Sequence, residues 1–311
     1  MRIVVMDDVN LGEDQLRALR SAGELTLYGG TPTTRDEILN RANGADILIS
    51  GWTEYSDGIF AHLPDLKLIS LWSTGTDCVD LGSANRAGVQ VTNVTGYASN
   101  PVAELAFGLM LAVMRKIPAA LQESRSSRSQ NWQLFEGREL AGKTLGVLGT
   151  GAIGMKVARI AKGFDMNVIA YDVNPNHEME ASGNLQYTDF DGVFGNSDIV
   201  TVHIPLMEQT RGVINDKALA RMPRHGILIN TARAGLVDQG ALTLCLKNGL
   251  LAGAGLDDVD LGHPSWEQLS LMNQVIITPH IGFYTHESVQ LKTQLCIHNV
   301  MNFINSTNKV G

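Results

Sequence analysis

Residues 144–154 run Thr144-Leu145-Gly146-Val147-Leu148-Gly149-Thr150-Gly151-Ala152-Ile153-Gly154. Leu145 to Leu148 have the length and apolar character of a buried strand, and residues 152–163 carry apolar side chains at helical spacing. Between them Gly149, Gly151 and Gly154 form G-x-G-x-x-G. Glycine is common in this chain, with 32 residues, so the motif gains its meaning from standing between a strand and a helix. Gly149 permits a tight turn, Gly151 lets backbone approach a pyrophosphate, and Gly154 lets helix and sheet pack closely. A helix N-terminus supplies amide donors and a positive dipole to phosphates. Thr150, Ala152 and Ile153 join the glycines as candidate cofactor-binding positions.

The next strand ends in Asp172, 23 residues after Gly149, close to the spacing of a ribose-binding acid. A carboxylate there accepts ribose hydroxyls and repels a 2′-phosphate. Residues 173–176 (Val-Asn-Pro-Asn) bring no Arg or Lys. The expected cofactor is therefore NAD rather than NADP.

Outward from this motif the chain alternates short apolar runs with helical stretches. Residues 3–6, 25–27, 47–50 and 68–71 read as strands, with helices over 14–22 and 34–42; Thr34 and Glu37 have capping-box spacing. A second series of strands follows at 144–149, 167–172, 198–203, 226–230, 253–257 and 275–278. A long apolar helix over 102–114, capped by Asn100 and opened by Pro101, precedes it. The fold class is α/β: two doubly wound parallel-sheet domains with a cleft between them, the second of Rossmann type.

Length and composition agree. A chain of 311 residues is long for one core, and 44% hydrophobic with 18% charged residues is ordinary for a globular enzyme. A net charge of −8 argues against general nucleic-acid binding. No stretch has the length of a membrane span or a signal peptide. Cys78, Cys245 and Cys296 form no CxxC pair, so neither a disulfide framework nor a metal site is expected, and a cytoplasmic protein fits.

Ligands of open α/β sheets sit beyond the carboxyl ends of the strands. At those ends stand His203 with Pro205, Asn230-Thr231-Ala232-Arg233, Asp257-Asp258, and Thr278-Pro279-His280-Ile281-Gly282. Reducing a carbonyl beside a carboxylate requires a cation to grip the substrate and an acid to protonate the oxygen. A guanidinium fork suits the first task and an imidazole the second, which selects Arg233 and His280. Asp257 could orient a nicotinamide amide. The plainer alternatives are a surface ion pair for Arg233, a packing histidine at 280, and a pocket or packing role for His203.

These segments together resemble the D-isomer-specific 2-hydroxyacid dehydrogenases. The resemblance rests on Thr74-Gly75-Thr76-Asp77, Val102-Ala103-Glu104, the glycine motif, His203-Ile204-Pro205-Leu206, Thr210-Arg211-Gly212, Asn230 to Arg233, Ala254 to Asp257, and Thr278 to Gly282. It implies hydride transfer between NAD(H) and a small 2-keto or 2-hydroxy acid. Arg233 would bind substrate, His280 would act as acid–base, and backbone at Thr74 and Gly75 would bind the substrate carboxylate. It also implies a cofactor site including Pro205, Thr210, Thr231, Ala232, Asp257 and Gly282. A homodimer joined through helix 102–114 is implied, with a discontinuous substrate domain of 1–98 and 286–311 and an NAD domain of 99–285.

The chain departs from the family in one place. The family carries a glutamate, in a Glu-Pro pair, that hydrogen-bonds the catalytic histidine. Here the segment reads Asp257-Asp258-Val259-Asp260-Leu261-Gly262-His263-Pro264. Asp260 is the expected substitute, followed by Asp258 and Glu267. The missing glutamate keeps an alternative open: an NAD-binding regulatory protein of the same fold with weak or no turnover.

Overall fold

The computed structural model describes residues 1–56, 58–127 and 131–307. Two compact units divide the chain: Met1–Tyr97 with the segment from Thr285 onward, and Ala98–Tyr284.

The first unit opens with β1 (Arg2–Val5), α1 (Glu13–Ala22), β2 (Glu24–Leu27), α2 (Arg35–Ala42), β3 (Ile47–Ser50), β4 (Leu68–Leu71), α3 (Leu81–Arg86) and β5 (Gln90–Thr92). Its five strands are all parallel, in the order β2-β1-β3-β4-β5. The α2 start follows its sequence signal: Thr34 accepts from the Glu37 amide at 3.2 Å, and Glu37 accepts from the Thr33 amide at 3.0 Å. β5 was not expected, because Gln-Val-Thr is short and partly exposed.

The second unit runs α4 (Ser99–Met114), α5 (Ile117–Ser127), β6 (Thr144–Leu148), α6 (Ala152–Gly163), β7 (Asn167–Tyr171), α7 (His177–Ala181), β8 (Gln186–Tyr187), α8 (Phe190–Gly195), β9 (Ile199–Val202), α9 (Asp216–Arg221), β10 (Ile227–Asn230), α10 (Gln239–Lys247), β11 (Gly253–Leu256), α11 (Trp266–Ser270) and β12 (Val275–Ile277). The chain then returns to the first unit as α12 (His286–Thr307).

The second sheet is parallel throughout, in the order β12-β11-β10-β9-β6-β7-β8. β9, β10 and β11 are buried at every position because helices cover both faces. Leu145, Val147 and Ile229 pack with α4 and α6 on one face. Leu148, Val200 and Leu228 pack with α8, α9 and α10 on the other. Each such side chain contributes roughly 1.5–3 kcal/mol through burial. β8 escaped sequence reading because it has only two residues at the sheet edge.

α4 corrects one expectation. It starts at Ser99 after Ala98, with no side-chain cap, so Asn100 and Pro101 lie inside its first turn. Val102, Ala103, Ala106, Phe107, Leu109, Met110 and Met114 are buried in the unit's own core. α4 packs on α6, β10 and β11.

Candidate active site

The second sheet reverses direction of winding between β6 and β9, the switch point at which open α/β sheets bind ligands. Gly149 leaves β6 with φ +88°, a left-handed conformation that favours glycine. A Cβ at Gly149 would lie 2.8 Å from the His203 carbonyl oxygen, so the ends of β6 and β9 meet here. A Cβ at Gly154 would come within 1.9 Å of the Gly149 carbonyl oxygen, so the helix can approach the loop only without a side chain. Gly151 faces open space within 4 Å. The loop and the N-terminus of α6 therefore form an open cradle of phosphate-binding type.

Asp172, at the end of β7, accepts from the Thr150 amide at 2.6 Å, the Thr150 hydroxyl at 3.1 Å and the Asn174 amide at 2.9 Å. Thr150 Oγ1 also lies 2.8 Å from the Tyr187 hydroxyl, which accepts from the Asn176 amide at 2.8 Å. Tyr187 comes from the unexpected β8 and ties the glycine loop to the loop after β7.

Beyond β9 and β10, two buried polar atoms have no hydrogen-bond partner among the described residues: His203 Nδ1 and Thr231 Oγ1. Burial pushes the His203 imidazole down to about 3, so the ring is neutral, with Nε2 2.9 Å from the Thr201 hydroxyl. Orphaned polar atoms on adjacent strand ends are costly unless a ligand satisfies them. Thr210 folds the loop after β9, donating to the Pro205 carbonyl at 2.7 Å and accepting from the Met207 amide at 2.8 Å. Cradle and orphans together fit a dinucleotide.

Asn230 shapes the arginine loop. Its Oδ1 accepts from the Ala232 amide at 3.0 Å and its Nδ2 donates to the Arg233 carbonyl at 2.8 Å. Arg233 Nη1 donates to the Ala232 carbonyl at 2.9 Å.

Asp257 is only 3% exposed and organises the histidine turn. Its Oδ1 accepts from the Thr278 hydroxyl at 2.6 Å and the Ile281 amide at 2.9 Å, and its Oδ2 from the Gly282 amide at 2.7 Å. A role of Asp257 in holding this turn was not anticipated from the sequence. The turn places His280 at φ +55°, a sparsely populated conformation for a residue with a Cβ. The His280 amide donates to the Asp257 carbonyl at 2.8 Å.

The carboxylate beside His280 is Asp258, which corrects the expectation of Asp260. His280 Nδ1 lies 3.8 Å from Asp258 Oδ1, an ion-pair contact longer than a hydrogen bond. Asp258 Oδ2 accepts from the Ala234 amide at 2.9 Å. Burial alone would push the Asp258 carboxyl up; His280, the Ala234 amide and the charge of Arg233 outweigh it and hold the carboxyl below its usual range. Asp260 is occupied elsewhere. Its Oδ1 caps the Gly262 amide at 2.9 Å, and its backbone is held by the Gln239 side chain. Directly after the strand, Asp258 shares the strand-end position of Asp257; Asp260 has already entered the following turn.

In the first unit, Thr74 and Gly75 follow β4. Thr74 Oγ1 donates to the Val94 carbonyl at 2.9 Å, Asn93 Nδ2 to the Thr74 carbonyl at 2.7 Å, and Ser73 Oγ to the Gly75 carbonyl at 2.8 Å. The loop is thus pinned through its carbonyls and side chains.

A profile described as "D-isomer specific 2-hydroxyacid dehydrogenase, NAD binding domain" matches residues 107–282. A glycerate dehydrogenase of Methylorubrum extorquens is 36% identical over 97% of this chain and 96% of that protein. The chain belongs to the D-isomer-specific 2-hydroxyacid dehydrogenase family. A glyoxylate reductase of Thermococcus litoralis is also 36% identical, over 86% of this chain and 83% of its own. Among solved structures, an acyclic imino acid reductase in complex with NADPH and D-Arg superposes with a TM-score of 0.90 at 30% identity, covering 98% of each chain. A D-lactate dehydrogenase of Aquifex aeolicus complexed with NAD and lactic acid gives 0.87 at 26% identity, over 99% of this chain and 97% of that one. The two-domain α/β fold, the NAD-binding domain and the oxidoreductase class expected from the sequence hold for this chain, and the regulatory alternative is not favoured. Among the described residues no helix is long and apolar enough to cross a membrane.

Proposed function

We propose that this family member reduces a small, unphosphorylated 2-keto acid with NADH to the D-2-hydroxy acid, and runs the reverse oxidation. The observation that carries the reading is Asp258, whose two oxygens serve the His280 ring and the backbone after Arg233. When bound, the nicotinamide supplies or accepts the hydride. Arg233 grips the substrate carboxylate and carbonyl oxygen in its fork. His280 donates the proton to the carbonyl oxygen, and Asp258 stands in for the family glutamate. Gly149 to Gly154 cradle the pyrophosphate, Asp172 receives the ribose hydroxyls, and the orphaned atoms of His203 and Thr231 accept contacts from the cofactor.

NADH consumption across a panel of 2-keto acids tests this reading, with Arg233→Lys beside the parent. The substitution keeps NADH binding and loses turnover on the order of 10²-fold, because a point charge cannot reproduce the fork. Near-normal kcat/KM in that variant removes Arg233 as the anchor.

A second reading is favoured by the same carboxylate, Asp258. A protonated imine carries positive charge, which an acid stabilises, and one similar structure is an acyclic imino acid reductase. NADH consumption that requires both a 2-keto acid and ammonia identifies this reaction.

A homodimer joined through α4 is retained, with α5, which packs beside α4, as a further exposed apolar surface. No residue of α5 is buried, and Ile117 (50%), Leu121 (47%), Trp132 (77%) and Leu134 (60%) are exposed apolar groups on this segment. Leu121→Glu with Trp132→Glu gives monomers by light scattering if the assignment holds. The cysteines are free thiols, in keeping with a cytoplasmic location.

A further inference from the structure

Tyr187 ends β8, the short edge strand beside β7, and carries a hydroxyl that the reaction described above does not use. Its backbone is fixed. Ala170 is its partner in β7, and its amide donates to the Glu180 carboxylate at 3.1 Å. Its ring is partly buried against the core that α4 and α6 share, with the His177 ring edge-on at 6.4 Å. A phenylalanine would make every one of these contacts, so the hydroxyl needs its own explanation.

The hydrogen bonds around that hydroxyl can run in only one direction. A carboxylate accepts and does not donate, so the Thr150 hydroxyl spends its proton on Asp172 Oδ2 at 3.1 Å. Any other orientation sets two acceptors against each other. Thr150 Oγ1 then has only lone pairs to offer, and the Tyr187 hydroxyl, 2.8 Å away, donates to it. The Asn176 amide donates in turn to the Tyr187 oxygen at 2.8 Å. The chain therefore runs from the Asn176 amide through Tyr187 and Thr150 to Asp172, each bond polarising the next. Thr150 is buried, which makes an unmade bond there costly. Asp172 Oδ2 is filled by the Thr150 amide and hydroxyl. Oδ1, which holds the Asn174 amide, is the oxygen left open to a ribose. A carboxylate pinned through one oxygen keeps the other in place, both to receive a ribose hydroxyl and to repel a 2′-phosphate; a loosened one can turn away from either.

We propose that Tyr187 is a positioning residue for cofactor choice, which fixes Asp172 through the Thr150 hydroxyl and so sustains the preference for NADH over NADPH. The inference rests on Asp172 as the ribose-binding acid proposed above. It extends the control of cofactor choice from the acid itself to two hydroxyls behind it.

Fluorescence titration with NADH and with NADPH compares the parent with Y187F, T150V, T150S, D172A and the Y187F/D172A double variant. The parent binds NADH more tightly. Y187F removes one oxygen and keeps the ring; the ratio of the two dissociation constants narrows at least about 3-fold, chiefly through weaker NADH binding. T150V breaks the chain at its next link and narrows the ratio likewise, whereas T150S keeps the hydroxyl and stays within about 2-fold of the parent. The double variant has the ratio of D172A alone, since the tyrosine acts through the acid. Y187F and T150V interrupt the same chain at different residues, so either one decides the matter if the other does not fold. Four results overturn the inference alone: an unchanged ratio in the hydroxyl variants while D172A narrows it, equal weakening of both nucleotides, T150S as impaired as T150V, or further narrowing in the double variant. A parent with no preference for NADH overturns the reading of Asp172 and the inference with it.

Discussion

His280 Nδ1 and Asp258 Oδ1 face each other at 3.8 Å while the other Asp258 oxygen holds the Ala234 amide. One carboxylate thus couples the proposed proton donor to the loop of the proposed substrate anchor. Asp258→Asn can keep the Ala234 contact through its amide oxygen but loses the charge beside the imidazole. Reduction falls roughly 10–100-fold, within the range typical of general acid–base support. Asp260→Asn stays within about 3-fold of the parent. The kcat/KM profiles of the two variants decide the matter, and the reverse pattern restores Asp260.

Gly282 is tied to Asp257 by a close approach. A Cβ at position 282 would lie 2.7 Å from Asp257 Oδ2, where the Gly282 amide now donates. Gly282→Ala displaces that contact and with it the turn that holds His280. It costs about 1–3 kcal/mol of stability and lowers kcat by at least about 10-fold. Urea titration and steady-state kinetics read the two effects separately. Unchanged kcat would mean the turn tolerates the shift.

Cofactor choice rests on Asp172, which is partly exposed at the end of β7. NADH binds better than NADPH, and Asp172→Ala narrows the difference by removing both ribose hydrogen bonds and repulsion of a 2′-phosphate. The variant also frees Thr150 from two contacts, so NADH affinity itself drops. Fluorescence titration with both nucleotides measures this. Tighter NADPH than NADH binding by the parent refutes the assignment.

Lys292 makes stability depend on pH with a definite sign. Burial pushes its ammonium down to about 7 in the folded chain, against about 10.4 unfolded. Between those values the unfolded chain holds a proton that the folded chain has released. Stability from this group therefore rises with pH across that window, by up to about 1.4 kcal/mol per pH unit, and is flat below it. Lys292→Met is more stable than the parent at pH 7, and its advantage shrinks toward pH 9. Urea midpoints at the two pH values test this, and a constant difference would show that Lys292 does not titrate.

How much was legible in the sequence depended on whether function was written locally. The glycine loop, Asp172, Arg233 and His280 could be proposed from sequence because each sits at a strand end with a backbone requirement or a distinctive side chain. β5 and β8 were missed because edge strands of three and two residues have no apolar run. Asp260 was preferred to Asp258 on its place in the chain, yet the choice depends on how sharply the chain turns after β11. Lys292 gave no signal at all. Only the return of α12 onto β4 sets a lysine against three rings, Trp52, Trp72 and Tyr97, contributed by distant segments.

That return governs the order in which the protein is made. α12 supplies Cys296, whose carbonyl receives the Ser70 hydroxyl at 3.2 Å, and Thr293, which bonds both Trp72 and the Asn10 carbonyl. A chain emerging from the ribosome has its first five strands ready long before the helix that covers β4 is synthesised. The second unit, contiguous from Ala98 to Tyr284, can close while the first still waits, even though the first was translated earlier. The nascent first unit therefore carries an uncovered apolar sheet face through most of synthesis. Stop codons or proteolysis before residue 286 leave it in that condition for good, which makes the C-terminal helix the segment whose loss most favours aggregation.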